Sequence, residues 1–71
     1  MKNFLNRHLP RNISYKELCI HAGIYPQTLS RWNTNTNNPN VHMLKILCIA
    51  LEKYTDKTWK ELILDYMENH A

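Results

Sequence analysis

Apolar positions along this chain return at intervals of three and four residues, in five short stretches separated by turn signals, and that is the helical period. The first stretch, KNFLNRHL, turns Phe4, Leu5 and Leu9 to one side and is stopped by Pro10, which lacks the N–H a helix interior needs. In the second, ISYKELCIHAG, Ser14 followed by Glu17 forms a capping box that starts a helix burying Leu18, Cys19 and Ala22. Gly23 stands where a helix ends in a left-handed residue, a conformation glycine reaches without a Cβ clash. Pro26 predicts the first position of a third helix, about two turns long and ending near Asn33, because its missing N–H costs nothing there. Leu29 and Trp32 face inward from it, while Gln27 and Arg31 lie on the opposite side, flanked by Thr28 and Ser30.

NTNTNNPN follows as a loop, in which Pro39 and Asn40 prepare the next helix as a proline and an N-cap. The fourth helix, Val41 to Leu51, is apolar around most of its circumference, with His42, Lys45 and Glu52 defining a polar arc and Ile49 in the middle of it. A helix of that kind belongs at the centre of a fold. Thr58 and Glu61 make a second capping box, and the fifth helix carries Trp59, Leu62, Ile63, Tyr66 and Met67 as an apolar stripe. The expected fold is therefore all-α, five compact helices with no strand and no internal repeat. Leu29, Trp32, Leu44, Cys48, Leu51 and Trp59 are the expected core linking the third helix to the fourth and fifth.

Length narrows this to one domain over residues 1–71, since 71 residues supply one modest core. At 44% hydrophobic the chain has too much apolar material for a disordered segment. No apolar run approaches the roughly 18 residues of a membrane span, and MKNFLNRHLP lacks a signal-peptide core. A cytoplasmic protein without a membrane partner is expected. Cys19 and Cys48 each fall on an apolar helical face and read as small core residues rather than a disulfide. The net charge of +3 is uneven: residues 1–33 hold Lys2, Arg7, Arg11, Lys16 and Arg31 against Glu17, which gives +4, and the remainder gives −1. A basic half favours a polyanion such as nucleic acid. His8, His21, His42 and His70 with the two cysteines repeat no zinc-finger spacing, so no metal or other cofactor is expected. No Ser/His/Asp set, carboxylate pair or glycine-rich phosphate loop is present to suggest an enzyme with a small-molecule substrate.

The second helix, the turn at Gly23 and the third helix make a helix-turn-helix over about residues 14–33. With Asn38-Pro39 and the apolar helix after it, the sequence resembles the DNA-binding domain of lambda-type phage repressors and Cro proteins. The resemblance runs from about Ile13 to Leu62. It rests on Ser14, Glu17-Leu18, Cys19 or Ala22, and Gly23-Ile24 in the first half. In the second half it rests on Leu29, Trp32, Asn38-Pro39, the stretch Val41 to Leu51 and the closing TWKEL. It implies that the third helix enters the major groove of double-stranded DNA, with Pro26, Gln27, Thr28 and Arg31 near base edges. Gln27 can pair bidentately with adenine, and Arg31 with guanine. Ser14, Tyr15, Lys16, Ser30, Asn35, Asn37 and Asn38 are the implied backbone contacts.

Three departures from the family's pattern stand out. Pro26 replaces a polar reader. Tyr15 stands where a glutamine often buttresses the reader. Asn35 takes the place of a loop glycine, and Thr34, Thr36 and Asn37 replace its basic neighbours, leaving amides and hydroxyls for phosphates. Fewer cations imply weaker non-specific binding. The expected function is transcriptional regulation at a palindromic operator, in a phage, prophage or bacterial setting. It is expected of a homodimer, with Ile49 and Leu64 as candidate interface residues. Because the chain ends soon after the fifth helix, a minimal Cro-like regulator is expected over a longer repressor. The alternatives are the antitoxin of a toxin–antitoxin pair and a protein-interaction module that has lost DNA binding.

Overall fold

The computed structural model describes residues 1–70, with His70 described through its backbone alone. The described residues form α1 (Lys2–His8), α2 (Tyr15–Ala22), α3 (Pro26–Asn33), α4 (Val41–Glu52) and α5 (Trp59–His70), with no strand among them.

Local chemistry sets most of these boundaries. Ser14 Oγ accepts the Glu17 N–H at 3.1 Å and opens α2. Asn40 Oδ1 accepts the Met43 N–H at 2.8 Å and opens α4. Thr58 Oγ1 accepts the Glu61 N–H at 3.3 Å, and its hydroxyl donates to Glu61 Oε1 at 3.2 Å. Helices α2 and α3 end in the same way. At the end of α2, Gly23 lies at φ 71°, the Ile24 N–H reaches Cys19 O at 3.0 Å and the Gly23 N–H reaches Ile20 O at 3.3 Å. At the end of α3, Asn35 lies at φ 60°, the Thr36 N–H reaches Arg31 O at 2.9 Å and the Asn35 N–H reaches Trp32 O at 3.3 Å. Both are Schellman closures, one on glycine and one on asparagine, the two residue types that enter the left-handed region most readily.

Helix α4 is central. It buries Leu44, Leu47, Cys48, Ala50 and Leu51 and packs on α2 and α5, whose Leu18, Cys19, Leu62 and Tyr66 share one core with them; α3 packs on α2 and adds Leu29 and Trp32 to the same core. Among the described residues no polar or charged residue is buried. Cys19 and Cys48 are free thiols within this core, and burial pushes Cys48 up to about 12.

Helix α1 closes the core from the side and alters the reading of α5. The Phe4 ring meets Tyr66 edge-on at 5.4 Å. Asp65 Oδ2 accepts from Arg7 at 2.8 Å and from His8 Nε2 at 2.6 Å, while Asn69 donates to its Oδ1 at 2.8 Å. Hydrogen bonds from His8 and then Arg7 hold the Asp65 carboxyl below its ordinary range. The inward arc of α5 is thereby turned toward Leu62, Asp65 and Tyr66. Met67, expected on the buried stripe, is 47% exposed because α1 covers the adjacent side of the helix. Two further expectations change. Val41, at the first position of α4, is exposed. Trp59 is half-buried, its ring taking Lys45 Nζ at 4.9 Å and Lys60 Nζ at 5.6 Å from the centroid, and its backbone N–H donates to Glu52 Oε2 at 2.9 Å.

Candidate nucleic-acid interface

Two buried anchors orient α3. Leu29 is 2% and Trp32 4% exposed, so the helix cannot rotate without withdrawing both from the core. That fixes the opposite side outward, where Pro26, Gln27, Ser30 and Arg31 line one broad, open depression. Among the described residues the side chains of Gln27 and Arg31 hold no hydrogen bond or ion pair, leaving an amide and a guanidinium free for an external partner. Thr28 is half-buried on the flank and stands apart from that depression.

The expected backbone contacts fall on two sides of α3. Tyr15, Lys16 and Ser30 line a cleft between α1, α2 and α3, and all three are exposed. Tyr15 is held loosely, its hydroxyl 3.4 Å from Asn6 Oδ1. Ser14 is exposed at the mouth of α2 while its oxygen caps that helix. Asn35, Asn37 and Asn38 are exposed on the loop after α3. Thr34 has a different task from the one its sequence position suggests. Its hydroxyl lies 3.1 Å from Ser30 O, 3.3 Å from Arg31 O and 3.0 Å from Thr36 Oγ1, so it caps the end of α3.

Lys2 is the member of this surface that sequence reasoning missed. It lines the same cleft as Lys16, with Asn33 and Thr34 opposite. Nothing short of docking α1 against α2 brings residues 2 and 16 together. Asn33 Oδ1 is closed off from solvent without a hydrogen-bond partner among the described residues. Arg7, counted in the basic half, is instead paired with Asp65, which leaves Lys2, Arg11, Lys16 and Arg31; of these Lys2 and Lys16 line the cleft, Arg31 the outer side of α3, and Arg11 a neighbouring depression with Tyr15.

Ile49 is 39% and Leu64 59% exposed, the former beside His21, Ile46 and Lys53 in a groove between α2 and α4 that Leu64 does not reach. Ile20, Tyr25 and Val41 are more exposed still, at 71%, 79% and 67%. Among the described residues no group of three or more His, Cys, Asp and Glu is gathered to hold a metal ion. No described helix is long and apolar enough to cross a membrane.

Two helices joined by a left-handed glycine turn, the second anchored by its apolar side and presenting its polar side, define a helix-turn-helix DNA-binding domain. The family model of the Cro/C1-type HTH DNA-binding domain matches residues 9–52, well over half of the chain, and the protein belongs to that family. The matched stretch takes in α2, α3 and α4 and stops short of α5, which the resemblance in sequence had included as far as Leu62. No curated protein and no solved structure matches the chain.

Proposed function

We propose that this protein is a Cro-like transcriptional regulator, of phage or prophage type, that binds a palindromic operator as a homodimer. The observation that carries the reading is the placement of Gln27 and Arg31, unpartnered and outward, on a helix pinned by Leu29 and Trp32. In the major groove Arg31 pairs with guanine O6 and N7, and Gln27 with adenine N6 and N7. Pro26 and Thr28 supply apolar contact beside them. Ser14, Tyr15, Lys16, Ser30, Asn35, Asn37 and Asn38 hold the sugar–phosphate backbone and set the register. One two-turn helix reads too few base pairs to discriminate against a genome of competing sites. Two-fold pairing doubles the contacts and sets half-sites about 34 Å apart. Ile49 and Leu64 are the candidate residues for that pairing. The polymerase is blocked or redirected by occupancy of the operator, with no catalytic step and no cofactor, and the setting is the cytoplasm.

Selection of bound sequences from a random duplex pool, followed by binding measurements at fixed salt, tests this. A palindrome should emerge, protected over both half-sites with two chains per duplex. Arg31→Ala should weaken binding to the selected site by about 1–3 kcal/mol per half-site and relax preference at one base pair, with a smaller loss on random DNA. An equal loss on both duplexes would make Arg31 a phosphate ligand. One protected half-turn with one chain bound at saturation would rule the homodimer out.

A further inference from the structure

The cleft between α1, α2 and α3 is larger and more apolar than a single phosphate group needs. Its volume is about 470 Å³, within the ~300–1,000 Å³ of small-molecule sites. Tyr15 and Pro26 line it at the surface, and the buried Cys19 and Leu29 line it at depth. Lys2 and Lys16 stand on the same cleft, and neither has an ion-pair partner among the described residues. A phosphate on the two ammonium groups would leave Tyr15 and Pro26 uncovered. A flat hydrocarbon body bearing one anionic group would use both features, burying apolar surface against them while neutralising the lysines. Asn33 adds a third element. It lines this cleft while its side-chain oxygen is closed off without a partner among the described residues, and turning the amide into the cleft would bring that oxygen to an N–H or O–H on the occupant.

We propose that this cleft binds a small aromatic anion, a carboxylate or sulfonate, and that the bound molecule excludes DNA. Tyr15, Lys16, Pro26 and Ser30 belong both to the cleft and to the surface assigned above to the operator, so the two occupants compete. The exclusion rests on the proposed DNA reading, whereas the site stands on the cleft alone.

The probe is 8-anilinonaphthalene-1-sulfonate, an aromatic sulfonate with an N–H donor whose emission rises in apolar surroundings. Titrated into the full chain, it should give a saturable 1:1 enhancement and raise the melting temperature, as a ligand of the native state does and a ligand of a loosened state does not. Amide shifts in nuclear magnetic resonance spectra should centre on Tyr15, Lys16, Ser30 and Asn33. The Lys2→Gln/Lys16→Gln pair should bind about tenfold more weakly or worse, whereas Lys45→Gln/Lys60→Gln should bind as the parent does. No saturable enhancement, or shifts centred on Ile49 or Leu64, overturns the site. Binding in the cleft with affinity for duplex DNA unchanged overturns the exclusion. A protein that holds the probe there and binds no DNA even at low salt refutes the operator reading and leaves the site standing.

Discussion

Removing the indole of Trp32 should cost this protein most of its stability. The side chain is 4% exposed, within the single core that α3 shares with its neighbours. A buried tryptophan withdraws about 150–250 Å² from water, worth about 4–6 kcal/mol at ~25 cal/mol per Å² as an upper bound. Truncations of buried Trp or Phe to Ala fall at ~3–5 kcal/mol. A 71-residue domain at ~0.05–0.15 kcal/mol per residue holds only about 4–11 kcal/mol in total. Trp32→Ala should therefore lose between about a quarter and all of that margin. Urea unfolding followed by far-ultraviolet circular dichroism reads it directly. Trp32→Phe, which keeps most of the volume, should lose far less. A Trp32→Ala protein that unfolds cooperatively with the parent's urea slope and a loss under about 1 kcal/mol would show that the indole is not buried in the core. The outward direction of Gln27 and Arg31 would then lose its support, because the same helical phase fixes both.

Gly23→Ala should cost about 1–2 kcal/mol in thermal or urea unfolding. No atom beyond its neighbours in the chain lies within 4 Å of where the new Cβ would go, so the cost is backbone strain at φ 71°, and Gly23→Asn should recover part of it. Removing the α4 cap with Asn40→Ala should cost about 1 kcal/mol, and no loss would mean that the 2.8 Å bond to the Met43 N–H contributes nothing. Because Asp65 is held below its ordinary value by His8 and Arg7, its contribution is present above the usual carboxylate pKa and is lost as pH falls through the lowered one. Asp65→Asn should therefore melt lower than the parent at neutral pH and converge with it in acid. Parallel curves across the acid range would remove the α1–α5 clamp from the account. Cys19 and Cys48 should resist a thiol reagent in the native protein and react once urea exposes them. Rapid native reaction would place them outside the core.

Much of this protein was legible from residues a few positions apart. Ser14 and Glu17, Gly23, Pro26, and Asn40 each act through the backbone of their own turn, so the boundaries of α2, α3 and α4 follow from local chemistry. The outward pairing of Gln27 and Arg31 was legible for the same reason, since four residues on one short helix fix its two faces. Tertiary structure decided what depends on partners distant in the chain. Arg7 reads as a free cation until α5 brings Asp65, 58 residues away, to 2.8 Å. That same docking exposes Met67, although the period of α5 places it on the apolar stripe. Thr34, which reads as a phosphate ligand, is a local case by contrast: its hydroxyl bonds carbonyls three and four residues back in α3. Lys2 gains a place on the candidate site only because α1 packs beside α2 and α3. Caps, turns and helix faces are set by interactions within one or two turns, which the order of residues specifies directly. The orientation of one helix against another depends on all the surfaces that must be buried at once, and no single stretch of this chain contains that information.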